Sequence, residues 1–412
     1  MAAASIPVSD QSLAKPAHPL RERNFQLLLT GGTISLLGDQ CYLVALPWLV
    51  LQMTGSAVAM GTILMAAAIP RAVLMLMGGA ISDRMSPRKI MMATAWARTF
   101  FVAAIAILVW LHVLRLWELY ALSFAFGVAD AFSFPARQAF VPSLVKREQL
   151  VQANAALQST AQLTTIAGPA PAGIAIKVLG TAWAFFLDAI SFLFIIAALW
   201  FLPDPPVQSA AKAKRSMLPS ILEGLAYVRR DVPLRSMMLL AAIMNLCISG
   251  PMGVGLPYLT KNRFGSATAY GIAVSAAAAG GLVGSLLAGV WRVQRRGLLI
   301  VSISVAIAVC LGPLGFLPHL WMIAAALLLM GASAGLVNVH IGSWIQQRIE
   351  PAVRGRVMSV LMLAAFGLLP VSLAAAGFLI AWNLRGMFVL AAVLLVIVAA
   401  TAALQKSVRE IA

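Results

Sequence analysis

The chain is poor in charge. Only 10% of its 412 residues are charged, with 13 Asp and Glu in all, against 61% hydrophobic residues. A soluble chain of this length could not cover its surface with so few charges. Cysteine is nearly absent as well. Cys41, Cys247 and Cys310 stand singly inside apolar runs, with neither a CxxC nor a Cys/His spacing, so no disulfide framework and no metal site is expected. HExxH, Walker-type loops and dinucleotide fingerprints are missing. No enzyme and no cofactor are therefore expected, and an ion gradient is left as the energy source. The formal net charge of +17 lies in short clusters between apolar runs, with no nucleic-acid module to organise it, which excludes nucleic acid as a partner.

What the chain has in abundance is long apolar runs. Segments 40–70 and 297–347 contain no Lys, Arg, Asp or Glu. A run of about 20 apolar residues crosses a hydrocarbon core of roughly 30 Å. Within lipid the backbone must satisfy its own hydrogen bonds, so such runs are helices. Pro, Gly and charge punctuation place twelve spans near 25–53, 57–81, 90–111, 117–137, 153–176, 181–202, 235–260, 268–291, 297–316, 320–345, 356–380 and 384–405. The expected architecture is an all-α membrane protein with twelve transmembrane helices in two six-helix bundles, 25–202 and 235–405. Residues 1–24 form a polar tail, 203–234 a linker with an amphipathic stretch, and 406–412 a second tail. With both termini on one side, that side holds 23 Lys and Arg and the other 5, which places the termini in the cytoplasm. A weak internal repeat lays 127–173 on 331–377, as two rocking bundles would show.

The loop after the second span reads GGAISDRMSPRK, with Gly79, Asp83, Arg84, Arg88 and Lys89 in the order of a signature loop. It resembles the loop between helices two and three of the major facilitator superfamily. The segments 126–157 and FFLDAISFL (185–193) are similar to the branch of enterobactin-type siderophore exporters and macrolide efflux pumps. In the fifth span TTIAGPAPAG resembles the antiporter helix, with Gly168, Pro169 and Gly173 in place. The resemblance implies an inner-membrane exporter of a siderophore or hydrophobic drug-like solute, energised by proton antiport and working as a monomer. Its partners would be the bilayer, the small-molecule solute and protons. It also implies gating at the loop, with Asp83 reaching across the interface of the halves. Two patterns depart from the family: AGVWRVQRRG (288–297) has no Asp, and LSFAFG (122–127) has no arginine. A lipid transporter of the same fold, or a sensor that moves nothing, are the alternatives.

Ionisable groups at membrane depth cost about 2.5–3.5 kcal/mol even on lenient scales, so each needs an account. Asp39 lies roughly 21 Å up the first helix and Arg71 roughly 18 Å up the second, at 1.5 Å per residue. They are expected to pair, either as a proton carrier with its partner or as a permanent ion pair. Asp130 is expected to pair with Arg98 or with Arg84. His340 is a further titratable candidate for coupling, or a packed and hydrogen-bonded side chain. Trp48, Phe132, Phe134, Asp188, Trp344 and Phe366 are candidates to line a solute cavity, with core packing or hydrogen bonding as the alternative for each.

Overall fold

The computed structural model describes residues 19–82, 85–204, 217–291, 295–349, 357, 360, 361, 363 and 367–405. Every regular element among them is helical. The N-terminal half comprises α1 (Arg23–Thr54), α2 (Ala57–Ser82), α3 (Pro87–Trp110), α4 (Leu116–Phe140), α5 (Leu150–Ala167), α6 (Pro169–Leu179) and α7 (Thr181–Phe201). An amphipathic helix, α8 (Met217–Arg230), precedes α9 (Val232–Gly250) and α10 (Leu256–Phe264). There follow α11 (Ala267–Val290), α12 (Arg296–Leu311), α13 (Leu320–Arg348), α14 (Leu369–Trp382) and α15 (Leu384–Leu404).

Among the described residues, ten helical stretches are long and apolar enough to cross a bilayer. The remaining two of the twelve expected positions hold the shorter apolar helices α6 and α14. α6 is short because proline has no N–H to donate and starts helices well. Pro169 at its first position divides one span into α5 and α6, with Gly168 as the joint. Between α9 and α10 a wide turn, Pro251–Gly255, closes with the Leu256 N–H on the Pro251 carbonyl. Such π-turns are frequent at functional sites.

Large apolar side chains point outward as well as inward. Trp382 is 91% exposed and Val290 85%, as befits a surface that meets lipid. Inside, α1 packs on α7, α2 on α4, and α3 on both α4 and α7. In the C-terminal half α11 packs on α13, α12 on α15, and α14 on α9.

The halves meet along two seams, α2 with α14 and α6 with α11. Both seams depend on glycine. A Cβ at Gly61 would press on the Leu373 carbonyl, and one at Gly377 on the Ala57 carbonyl. A Cβ at Gly173 would strike the Ala267 carbonyl, and one at Gly271 the Pro169 carbonyl. Backbones approach this closely only where side chains are missing. Thr268 Oγ1 donates to the Gly173 carbonyl at 3.2 Å, and the Ala170 N–H donates to Ser275 Oγ at 3.2 Å. Lys261 Nζ donates to the Leu51 carbonyl near the end of α1. All of these contacts lie toward the face that carries the short turns at 55–56, 180, 265–266 and 383.

Candidate functional site

Between the halves lies a cavity of about 840 Å³. Its wall draws on α1, α2, α3, α4 and α5 from one side, and on α9, the 251–255 turn, α10, α11, α13 and α14 from the other. Most of the wall is aliphatic or small, with Leu36, Leu43, Leu46, Ala277, Ala334 and Leu373 among its members. The seams close it on the turn-bearing face. Of the hydrogen bonds that join the halves among the described residues, the one farthest from that face runs from Gln162 Nε2 to the Ala278 carbonyl at 3.4 Å, in the cavity wall itself. Four charged side chains open onto the cavity from the N-terminal half: Asp39, Arg71, Arg98 and Asp130.

The geometry corrects the expected pairing of Asp39 with Arg71. Arg98 Nη2 forms the salt bridge to Asp39 Oδ1, while Arg71 Nε bridges to Asp130 Oδ2 at 3.2 Å. Arg98 Nη1 reaches Asp130 Oδ1 at 3.8 Å, so the four groups form one chain: Asp39, Arg98, Asp130, Arg71. The reason is packing. α1 and α2 are neighbours in sequence, but α1 packs chiefly on α7 and α2 chiefly on α4, which puts Asp130 opposite Arg71. Arg98 on α3 is held between two rings, 5.0 Å from the Phe126 centroid and 4.3 Å from that of Phe192. Cation–π contacts of this kind favour a guanidinium in a dry site. Arg98 is nearly buried, at 10% side-chain exposure, whereas Arg71 is 49% exposed to the cavity.

The loop residues sit elsewhere. Arg88 Nε donates to the Leu199 carbonyl at 2.7 Å, and its Nη2 to the Trp200 carbonyl at 3.1 Å. A cation there also suits the negative end of the α7 dipole. Lys89 pairs with Asp204 at 3.7 Å, and Ser86, which caps α3, donates to the same carboxylate. The basic pair thus ties the loop to α7 within its own half. Gly79 lies in α2, and Asp83 and Arg84, with the expected contact across the halves, lie outside the described residues. Of the antiporter-type helix, Gly168 sits against the Gln40 side chain, and Pro169 and Gly173 form the α6–α11 seam.

The aromatic candidates for the cavity are corrected too. Trp48 is buried in the main core, and Trp344 is buried with Arg348 over its ring at 5.4 Å. Phe132 packs with the second core cluster, around Phe25 and Phe140, and Phe134 is 48% exposed. None of these four is in the cavity wall: Trp48, Trp344 and Phe132 lie on faces of their helices packed against other neighbours, and Phe134 is exposed. Phe366 lies outside the described residues. The aromatic wall comes instead from Tyr42, Phe126 and Tyr270, with Tyr42 stacked on Phe126 at 4.3 Å between centroids. Gln162 and Asn338 add polar groups. Their polarity inside apolar runs was a signal in the sequence, whereas nothing local marked the three aromatics.

Asp188 is fully buried on α7 and is not in the wall. His340 is buried in α13, also off the wall. The string GASAG (331–335) spells a GxSxG nucleophile pattern, but it lies inside α13, where Gly331 and Gly335 press on the α11 backbone. There it packs two helices.

A helical membrane protein with a cavity shared by two halves, closed on one face by glycine seams, defines the class: a transporter with the major facilitator fold. The chain belongs to the transmembrane secretion effector family of that superfamily, whose pattern matches residues 14–411. It is 28% identical over 369 residues to the multidrug efflux pump Tap of Mycolicibacterium fortuitum, covering 85% of this chain and 88% of that one. To macrolide efflux protein A of Streptococcus pyogenes it is 24% identical, covering 82% and 84%. Among solved structures, a bacterial homologue of the iron transporter ferroportin in an inward-facing state superposes with a TM-score of 0.71. That match has 17% identity over 93% of this chain and 99% of the other. The nucleoside transporter NupG superposes with a TM-score of 0.72 at 12% identity, over 92% and 98%.

Proposed function

We propose that this protein exports a hydrophobic, drug-like solute across the cytoplasmic membrane in exchange for protons, by alternating access. Its termini lie in the cytoplasm, as the Lys and Arg asymmetry supports, and the glycine seams close the cavity on the opposite face. The observation that carries the reading is the cavity itself: an apolar chamber between the halves with the chain Asp39–Arg98–Asp130–Arg71 in one wall. An apolar wall with a few placed polar groups suits an amphipathic solute of drug size. Carboxylates held by guanidiniums at membrane depth suit proton exchange, because protonating one frees its cation to move. The efflux pumps among the relatives support the direction and the cargo class. A siderophore is the second reading: Arg71, half-exposed to the cavity, offers a cation to the oxygens of such a ligand. The protein works as a monomer in this reading, with 25–202 rocking against 235–405.

Ethidium and a macrolide are suitable probes in proteoliposomes under an imposed pH gradient. Wild-type protein should accumulate them against their gradient, and Asp39→Asn should abolish that drive while inserting normally. Undiminished accumulation by Asp39→Asn would remove the carboxylate from the mechanism, and solute movement indifferent to the pH gradient would refute proton exchange.

A further inference from the structure

Behind the cavity wall the N-terminal half encloses an acid that the scheme above does not use. Asp188 is fully buried, and its Oδ2 has no hydrogen-bond partner. Its Oδ1 is met at 3.5 Å by the Ser191 hydroxyl, which already donates to the Asp188 carbonyl at 2.7 Å. No salt bridge among the described residues reaches it. Nearby, Arg98 Nε is buried and equally without a partner. An orphaned donor and an orphaned acceptor thus both lie buried in the N-terminal half, together with the unpartnered Tyr42 and Ser123 hydroxyls. α1 covers Asp188 closely: a Cβ at Gly38 would overlap the Ser191 side chain and lie 2.8 Å from Asp188 Oδ1. The next residue on α1 is Asp39.

The groups that face Asp188 are Asp39, Cys41 and Tyr42 from α1, Arg98 from α3 and Asp130 from α4. α6, which also packs on α7, has Lys177 in its last turn as its one titratable side chain. Counting salt-bridge contacts, three carboxyl groups, Asp39, Asp130 and Asp188, share two guanidiniums, Arg71 and Arg98, while Arg137 at the end of α4 acts on Asp39 only from longer range. Asp39 and Asp130 each have a cation in salt-bridge contact, and Asp188 has none. An unpaired carboxylate sealed from water is far costlier than the neutral acid. The cluster is neutral when it holds one proton, and Asp188 is the acid left to hold it.

We propose that Asp188 is a proton-carrying site of the transport cycle, storing as a neutral acid the proton that the cavity exchanges through Asp39. This rests on the proton-exchange reading above. In the step, the O–H bond of Asp188 breaks and one forms on the Asp39 carboxylate. Arg98 leaves Asp39, now neutral, and its free Nε–H turns to the new carboxylate on Asp188. Two carboxylates and two guanidiniums are ionised before and after, so no charge is created in the membrane. Asp39 then gives the proton to water in the cavity, and the reverse sequence reloads Asp188.

Infrared spectroscopy of the purified full-length protein, with no substrate, reads the stored proton directly. Wild type at neutral pH should show the carbonyl stretch of a protonated carboxylic acid, exchanging slowly in D2O. Asp188→Asn should lack that band, and Asp39→Asn should lose it as well, because two carboxylates then match two guanidiniums and Arg98 is free to pair with Asp188. In proteoliposomes Asp188→Asn should lose accumulation of ethidium driven by a pH gradient, yet still exchange ethidium down its own gradient. Absence of the band from wild type overturns the proposal without any variant having to fold. So does a band that survives in Asp188→Asn, or its loss with pH-driven accumulation intact, which would make Asp188 a neutral structural acid. If wild-type protein moves ethidium with no response to a pH gradient, proton exchange itself fails, and the role of Asp188 in transport fails with it.

Discussion

Adding one methyl group at Gly173 should turn the transporter toward its other face. In the structure a Cβ there meets the carbonyl oxygen and carbon of Ala267 and the Cα of Thr268, all backbone atoms that no rotamer change can move. α6 and α11 must part, and the bond from Thr268 Oγ1 to the Gly173 carbonyl stretches with them. Overpacking a tight contact costs about 1–3 kcal/mol. The cost falls only on the state in which the seam is closed, so the ratio of the two states should shift by about 5- to 150-fold. Alanine is a better helix former than glycine by up to about 1 kcal/mol, but that gain is the same in both states and cancels. The assay replaces Cys41, Cys247 and Cys310 by serine and places a cysteine at Met252 in the cavity wall. A membrane-impermeant maleimide is then added from each side. Gly173→Ala should raise labelling from the turn-bearing face and lower it from the other. Gly32→Ala, with no atom within 4 Å of its new methyl, should change neither. Labelling unaltered by Gly173→Ala would show that this seam does not set the balance of states.

Two further perturbations follow from the charges. Arg98→Met removes the one cation among the described residues in salt-bridge contact with both Asp39 and Asp130 and should cost about 3–5 kcal/mol, as breaking a buried pair does. A fall in the thermal unfolding midpoint in detergent would show it, whereas an unchanged midpoint would mean the chain of charges does not hold the half together. Asp231→Ala removes the cap that accepts from the Leu234 N–H at 3.0 Å, together with the two-point contact to Arg348 at 2.8 and 3.1 Å. The cap is worth about 1 kcal/mol, and the partly exposed ion pair less than that. Hydrogen exchange should quicken at the start of α9, and equal rates would refute the capping role.

The placement of the spans was legible because hydrophobic length is a local property. The runs read at 181–202, 268–291 and 384–405 appear as α7 (Thr181–Phe201), α11 (Ala267–Val290) and α15 (Leu384–Leu404). The division of the fifth span at Gly168–Pro169 also follows from local chemistry. The charged residues Asp39, Arg71, Arg98 and Asp130 could be singled out because a charge at membrane depth needs a partner. Asp130 with Arg98 was among the expected pairs and is present at 3.8 Å, but the partners of Asp39 and Arg71 could not be assigned. Asp39 and Arg71 have matching depths, yet depth along a helix leaves open the face on which a residue lies and the helix it meets. Trp48 and Trp344 failed as cavity residues for the same reason, and Tyr42, Phe126 and Tyr270 went unnoticed beside them.

Taken alone, the amino-acid sequence determined that this is a helical membrane transporter of the major facilitator kind. Long apolar runs without the alternation of a membrane barrel leave the backbone in lipid only the helix, and twelve such runs with a signature loop leave few folds to choose from. Tertiary structure decided which acid meets which guanidinium, which side chains see the cavity, and that Asp188 makes no salt bridge among the described residues. Those outcomes depend on the rotation and neighbours of each helix, and these are settled by close contacts such as Gly38 on Ser191 and Gly173 on Ala267 between residues more than ninety positions apart.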